Sequence, residues 1–168
     1  MNYHMNKKIG IYPGTFDPIT FGHVDIIKRS LRIVDELIIS IANNPSKKTL
    51  FSIKDRYKMI ENELKRIDYN NKIIKIKKVE GLLTKFSKIH KASCIIRGLR
   101  AVSDFEYELQ MTGMNNQLNP NIETIFLMSY EKNSFISSNF VKEVHLLGGD
   151  VSKFVSKFVI KKLNSKNK

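Results

Sequence analysis

The residues Tyr12-Pro13-Gly14-Thr15-Phe16-Asp17-Pro18-Ile19-Thr20-Phe21-Gly22-His23 follow an Ile-rich segment and lead into a helical pattern. Gly14 is expected to allow close backbone approach or an unusual backbone angle, and two prolines stiffen the loop. A helix opening at Gly22-His23 presents free N–H groups and the positive end of a dipole, which suits phosphate. His23 on the first turn adds a side-chain donor aimed at the same place. Further along, Arg97 and Arg100 close a second Ile-rich segment. At a strand end they can offer rigid forks to phosphate or to a carbonyl-bearing chain, unless ion pairing with Asp104 or Glu106 takes them up. Asn133 to Asn139 opens another helix with hydroxyls and N–H groups, a reasonable phosphate cradle, although an ordinary N-cap at Ser137 or Ser138 explains part of that signal. His4, His90 and His145 have no comparable setting. G-x-G-x-x-G and G-x-x-x-x-G-K-[ST] are both absent, which weighs against NAD oxidoreductases and P-loop kinases.

These residues need a frame that brings strand ends and helix starts together. Lys8 to Tyr12 and Glu36 to Ala42 are short, Ile-rich and bounded by turn residues, as strands buried between two helix layers are. Between them Val24, Ile27, Leu31 and Val34 keep helical spacing, with Pro18, Thr20 and Gly22 at the entry. Ser52 and Asp55 resemble a capping box, and Ile53, Tyr57, Ile60 and Leu64 make the apolar stripe of a second helix. Ile73 to Val79 is a third strand whose alternating lysines predict a wet face or edge. Leu82, Leu83, Phe86 and Ile89 mark a third helix. Strand Ser93 to Ile96, a helix beginning near Ser103-Asp104, strand Glu123 to Met128 and a helix opening at Ser137-Ser138 follow. A final amphipathic helix carries Val151, Phe154, Val155, Phe158, Val159 and Leu163. The alternation argues for an α/β fold, a doubly wound parallel sheet in one domain over 1–168, with 1–7 and 164–168 as frayed tails. Ligands in such sheets bind beyond the carboxyl ends of strands, near the point where strand order reverses.

Composition narrows the function classes. The 168 residues are 42% apolar and carry 29 Lys+Arg against 16 Asp+Glu, a formal net charge of +13. A chain of this length hides roughly 70% of its unfolded surface, enough for a core without metal or disulfides. Cys94 is the only cysteine, which excludes an intramolecular disulfide and a thiolate metal cluster; it is expected to be a small buried apolar residue. No apolar stretch approaches the roughly 18 residues that span a bilayer, and no secretory segment follows the basic start, so a cytoplasmic protein is expected. The surplus charge attracts polyanions: nucleic acid, a membrane surface or phosphate-rich small substrates. A nucleic-acid-binding domain predicts a contiguous basic stripe, whereas an enzyme predicts charge converging on one pocket. The lysines are scattered, and no RNA-binding aromatic motif accompanies them.

The segment from Tyr12 to His23 resembles the first motif of the nucleotidyltransferases with a [HT]-x-G-H signature, and among them it is most similar to the bacterial phosphopantetheine adenylyltransferases. The likeness extends to Asn43 through Lys48, to Ile96 through Glu108 and to Ser134 through Glu143. It implies a Rossmann-like nucleotidyltransferase fold and transfer of the adenylyl group of ATP to 4′-phosphopantetheine, giving dephospho-coenzyme A and pyrophosphate. The attacking phosphate is already anionic at neutral pH, so no serine, cysteine or general base has to create a nucleophile. Catalysis then rests on bringing two anions together and on fixed positive partners.

By the same resemblance Thr15 contacts both substrates, with Phe16 beside it at the ATP, and His23 binds ATP and stabilises the transition state. Lys47, after the second strand, is catalytic and holds substrate phosphate; its neighbour Lys48 reads more simply as solvated. Leu83 and Arg97 meet the pantetheine substrate, and Gly98, Leu99, Arg100 and Glu108 meet ATP. Asn133, Ser134, Phe135, Ile136, Ser137, Ser138 and Asn139 complete the ATP site. Asn133 stands where many relatives carry an aromatic residue, and Asn139 where they carry a third serine or threonine. The resemblance further implies Mg²⁺ carried by ATP without a protein-held metal site, coenzyme A as feedback inhibitor, a homohexamer, and neither nucleic acid nor membrane as partner. Sister nucleotidyltransferases with another phosphate acceptor share the Thr20-Phe21-Gly22-His23 motif, and the block from Arg97 to Glu108 speaks for the pantetheine branch.

Overall fold

Five segments rich in β-branched residues pair into one sheet in the computed structural model, which describes residues 7–43, 48–69, 71–100, 102–129 and 136–166. The strands are β1 (Ile9–Gly14), β2 (Glu36–Ala42), β3 (Ile73–Val79), β4 (Cys94–Leu99) and β5 (Glu123–Met128). Their order is β3-β2-β1-β4-β5, and every neighbouring pair is parallel. The chain winds outward from β1 to β3 and then restarts on the other side of β1, so the order reverses between β1 and β4. There the pairing is short. β1 and β4 are in register only at Gly10–Cys94 and Ile11–Ile95. Beyond those pairs the two strands flank a crevice, the place where open α/β sheets hold ligands.

The helices are α1 (Phe21–Ser30), α2 (Ile53–Leu64), α3 (Leu83–Ile89), α4 (Val102–Leu118), α5 (Ser138–Leu146) and α6 (Lys157–Asn164). On one sheet face Ile27 of α1, Met59 and Ile60 of α2, Val141 of α5 and Val159 of α6 pack with Leu37, Ile39, Ile41 and Ile96. On the other face Phe86 of α3 packs with Ile11, Ile38 and Val79. Both faces are therefore covered, which matches uninterrupted apolar runs such as Leu37-Ile38-Ile39. β3 is one of the two edge strands, and lysines on or just before it pair with nearby acids: Lys75 with Glu36, Lys72 with Asp35 and Lys78 with Glu80. Cys94 is buried and free, as its apolar setting predicted, and burial raises its thiol pKa.

Several expectations are corrected. The final helix does not begin at Val151. Phe154 and Val155 donate to the Val151 carbonyl in a turn, the Phe154 carbonyl accepts from Phe21, and the Ser156 side chain caps a helix that starts at Lys157. Helix-like spacing of Val151, Phe154 and Val155 thus comes from a turn packed on the core. The ordered framework also extends into the predicted tails, because α6 runs to Asn164, Ser165 is its C-cap, and Lys7 reaches Glu36. On α2 the buried face is Arg56, Met59, Ile60 and Glu63, while Tyr57 is exposed. On α3, Phe86 is buried but Ile89 and the preceding Leu82 face solvent.

Candidate active site

The crevice between the ends of β1 and β4 opens into a cavity of about 950 Å³, lined from four directions. The loop after β1 supplies Thr15, Phe16 and Asp17, and the first turn of α1 supplies Gly22 and His23. The end of β4 with α4 supplies Arg97, Gly98, Arg100, Asp104 and Glu108. The entry to α5 supplies Ile136, Ser137, Ser138 and Asn139.

The loop after β1 is fixed by its own packing. Of the two roles expected for Gly14, close approach or an unusual backbone angle, it takes the first, and the left-handed φ of 51° falls on Phe16. Gly14 makes room, since a Cβ there would lie 2.7 Å from the Phe16 ring. That ring is buried edge-on to Tyr12 and beside His23, with centroid separations of 5.5 and 5.1 Å. Asp17, with 4% exposure, accepts hydrogen bonds from the Leu50 and Phe51 N–H groups at 2.9 and 2.8 Å. It also pairs with Lys142 of α5 at 2.9 Å. Ser138 Oγ donates to the Pro18 carbonyl at 2.7 Å, so α5 is tied to the same loop.

His23 closes a capping box at the start of α1. The Thr20 N–H donates to His23 Nδ1 at 3.0 Å, and the His23 N–H donates to the Thr20 hydroxyl. A backbone N–H can only donate, so Nδ1 is the acceptor nitrogen and the ring proton sits on Nε2. Burial, reinforced by the Arg100 charge, pushes the His23 pKa down to about 4, so the imidazole is neutral at pH 7. The helix start is less open than the sequence suggested: the Phe21 N–H goes to the Phe154 carbonyl and that of His23 to Thr20. Gly22, which lines the cavity, keeps a first-turn N–H without a described partner.

The opposite wall carries the arginines. Arg97 forms a two-pronged pair with Glu108, Nε to Oε2 at 2.7 Å and Nη2 to Oε1, and donates from Nη1 to the Pro13 carbonyl at 3.2 Å. Arg100 pairs with Asp104 through Nε at 3.0 Å. Sequence reasoning offered Asp104 or Glu106 as partners. Glu106 is exposed, two positions round the helix, whereas Asp104 and Glu108 are four apart and share the cleft-facing side of α4. Glu108 therefore sits on the arginine expected to meet the pantetheine substrate. Leu83 lies outside the main cavity and lines a smaller one of about 80 Å³ that shares Arg97 and Glu108 with it.

Of the remaining residues marked by the sequence, Leu99 is buried at 3% exposure and does not line the cavity, and its carbonyl accepts from Ser129. Lys48 lines the cavity mouth. Lys47, Asn133, Ser134 and Phe135 lie outside the described residues. Tyr12, Asp17, Arg56 and Lys142 were not singled out as site residues, yet the first, second and fourth line the cavity and Arg56 braces its loop. Burial raises the Tyr12 phenol above its ordinary pKa against the lowering influence of Arg97 and Arg100. For Asp17 the available signal was its place between Phe16 and Pro18. Among the described residues no group of three or more His, Cys, Asp or Glu side chains could hold a metal ion, and no helix is long and apolar enough to cross a membrane.

The family model described as cytidylyltransferase-like matches residues 11–144. A phosphopantetheine adenylyltransferase of Wolbachia pipientis wMel is 57% identical over 165 residues, covering 98% of this chain and 96% of that relative. The protein of the same name from Rhodospirillum centenum is 51% identical and covers 96% of this chain and 88% of its own. That of Pelagibacter ubique is 48% identical, with 95% and 98% covered. Among solved structures, the fold is similar to Plasmodium falciparum nicotinic acid mononucleotide adenylyltransferase complexed with NaAD, with TM-score 0.73, 18% identity and 96% of each chain covered.

Proposed function

The chain belongs to the cytidylyltransferase-like family as one of its phosphopantetheine adenylyltransferases, and from that premise we propose how its cleft carries the reaction. The adenylyl group of ATP passes to 4′-phosphopantetheine, giving dephospho-coenzyme A and pyrophosphate, the penultimate step of coenzyme A biosynthesis. The observation that carries the reading is the placement of His23: a neutral imidazole, fastened at Nδ1 by the helix cap, offers its Nε2 proton to a cavity rimmed by arginines and helix starts.

ATP enters with its phosphates between the first turn of α1 and the entry to α5, where the Gly22 N–H, Ser137, Ser138 and Asn139 provide donors. Gly98 and Arg100 take the nucleotide side at the end of β4, with Glu108 beside them. The Thr15 hydroxyl and His23 Nε2 meet the α-phosphate and the attacking phosphate. As the pentacoordinate phosphorus forms, charge grows on its equatorial oxygens, and a fixed neutral donor needs no reorganisation to meet it. Arg97 receives the 4′-phosphopantetheine substrate after letting go of Glu108, and Leu83 lines the adjoining hollow for the arm. Lys47 is assigned to the substrate phosphate, and Asn133, Ser134, Phe135 and Ile136 to ATP.

Mg²⁺ neutralises the triphosphate when bound. The cleft acids Asp17, Asp104 and Glu108 are each engaged by a cation, Lys142, Arg100 and Arg97 respectively, so the donor set fits an ion carried by ATP and not a carboxylate cage. Exposed apolar residues of α4, including Leu109, Met114 and Leu118, support assembly into a homohexamer. We place the enzyme in the cytoplasm and expect coenzyme A, which shares the pantetheine arm and nucleotide, to inhibit it by occupying the same cleft.

The test is pyrophosphate release from ATP and Mg²⁺ with 4′-phosphopantetheine, beside nicotinate mononucleotide and, with CTP, glycerol 3-phosphate. Release with 4′-phosphopantetheine alone is expected. Release with another acceptor alone would overturn the assignment of Arg97 and Leu83.

A further inference from the structure

Among the described residues the side chain of Arg56 is the largest to be almost fully enclosed, with 1% exposure, and it does not line the cavity. Its Nη1 donates to two backbone carbonyls, Thr15 at 2.7 Å and Ala42 at 2.9 Å, while its Nε has no partner. Among the described residues no carboxylate pairs with it. Asp17 favours its charged form, but the Asp17 oxygens are taken by Leu50, Phe51 and Lys142.

As a means of stabilising a core this is a poor arrangement. A buried guanidinium with an idle N–H loses solvation that an unbranched apolar side chain of similar volume would not lose. Its one distinctive property is to bridge two segments that enter the chemistry from different strands. Thr15 immediately precedes the left-handed Phe16 in the loop after β1, and Ala42 ends β2, directly before the segment that carries Lys47 and Lys48. Asp17 ties the loop after β1 to the entry of α2 as well, through the N–H groups of Leu50 and Phe51. The Nη1 of Arg56 thus ties the Thr15 carbonyl of the loop after β1 to the Ala42 carbonyl at the end of β2.

We propose that Arg56 is a positioning residue for adenylyl transfer, which locks the Thr15 carbonyl to the end of β2 and so sets the loop after β1 against that strand. The role rests on the proposed reaction. It acts through Thr15 and predicts a loss in the chemical step with substrate binding nearly unchanged, because misplacement at the reacting centre is felt in the transition state.

The experiment measures pyrophosphate release by Arg56→Met and Arg56→Gln, normalised to folded protein by thermal unfolding. For Arg56→Met, kcat is expected to fall about 100-fold while KM for ATP and for 4′-phosphopantetheine moves less than about threefold. A folded Arg56→Met with kcat within about threefold of the parent overturns the proposal. Should Arg56→Met fail to fold, Arg56→Gln, whose shorter side chain falls short of the two carbonyls, decides: lowered kcat at unchanged KM supports the role, and unchanged kcat overturns it. The parent enzyme separates the two readings. A parent inactive with 4′-phosphopantetheine removes the reaction and this role together, and an active parent with an equally active Arg56→Met removes the role alone.

Discussion

His23 and Arg97 face the same cavity, yet one is fastened by the backbone and the other by a carboxylate. On the β1–α1 wall, His23 is held by the Thr20 N–H, the loop by Arg56 and Asp17, and the Phe16 ring by the space that Gly14 leaves. No ligand has to displace any of these bonds. On the β4–α4 wall, Arg97 and Arg100 are occupied by Glu108 and Asp104, and a phosphate can take the place of those acids. The difference teaches a division of labour. Groups that meet charge developing in the transition state profit from being immobile beforehand. Groups that capture a charged substrate can be stored on an exchangeable partner, which also keeps two arginines from repelling each other while the cavity is empty.

The sharpest way to break this comparison is to remove the fixed donor. His23→Ala should fold normally and lose about 10³-fold in kcat, the upper range for deleting one transition-state donor, with pyrophosphate release as the assay. A near-normal rate would take His23 out of the mechanism. Next comes the exchangeable wall. Arg97→Lys removes the planar fork, and KM for 4′-phosphopantetheine should rise roughly 10- to 100-fold with kcat much less affected, as for loss of a charged hydrogen bond in binding. Steady-state kinetics against that substrate separates the two walls by which constant moves.

A smaller effect follows from the depressed pKa of His23. The folded state holds this ring neutral down to about pH 4, whereas an unfolded histidine takes up a proton near 6.5. Between those values the unfolded chain binds more protons. The stability contribution of neutral His23 is therefore full above pH 6.5 and lost as pH falls through about 4. Chemical unfolding of the parent and of His23→Ala should give curves whose difference changes across that window and is flat above it. The smallest effect belongs to the half-exposed Arg100–Asp104 pair, for which Asp104→Asn should change unfolding free energy by less than about 1 kcal/mol.

The sequence made one part of this plan visible and hid another for physical reasons. β2, β3 and β5 match their predicted bounds because apolar or alternating runs end at turn residues. His23 and Arg97 stood out by their place at a helix start and a strand end, the resemblance added Thr15 and Gly98, and all four line the cavity. Arg56 did not stand out. Its charge reads as solvated although it stands three residues after Ile53 and four before Ile60, on the apolar stripe, and only the tertiary approach of the Thr15 and Ala42 carbonyls accounts for a charge on that face. The partner of Arg97 was missed for a related reason, since choosing between Glu106 and Glu108 requires knowing which side of α4 faces the cleft. Val151 to Val155 misled in the opposite direction, because one turn docked on the core imitates helical spacing.

The claim that the β1–α1 wall is set before substrate arrives is tested most directly by NMR titration of the His23 imidazole nitrogens in the ligand-free enzyme. Expected are an unprotonated Nδ1, a protonated Nε2 and no titration from pH 8 down to 5, with protonation approaching only near pH 4. A midpoint near the ordinary histidine value of about 6.5, or a proton on Nδ1, would contradict it.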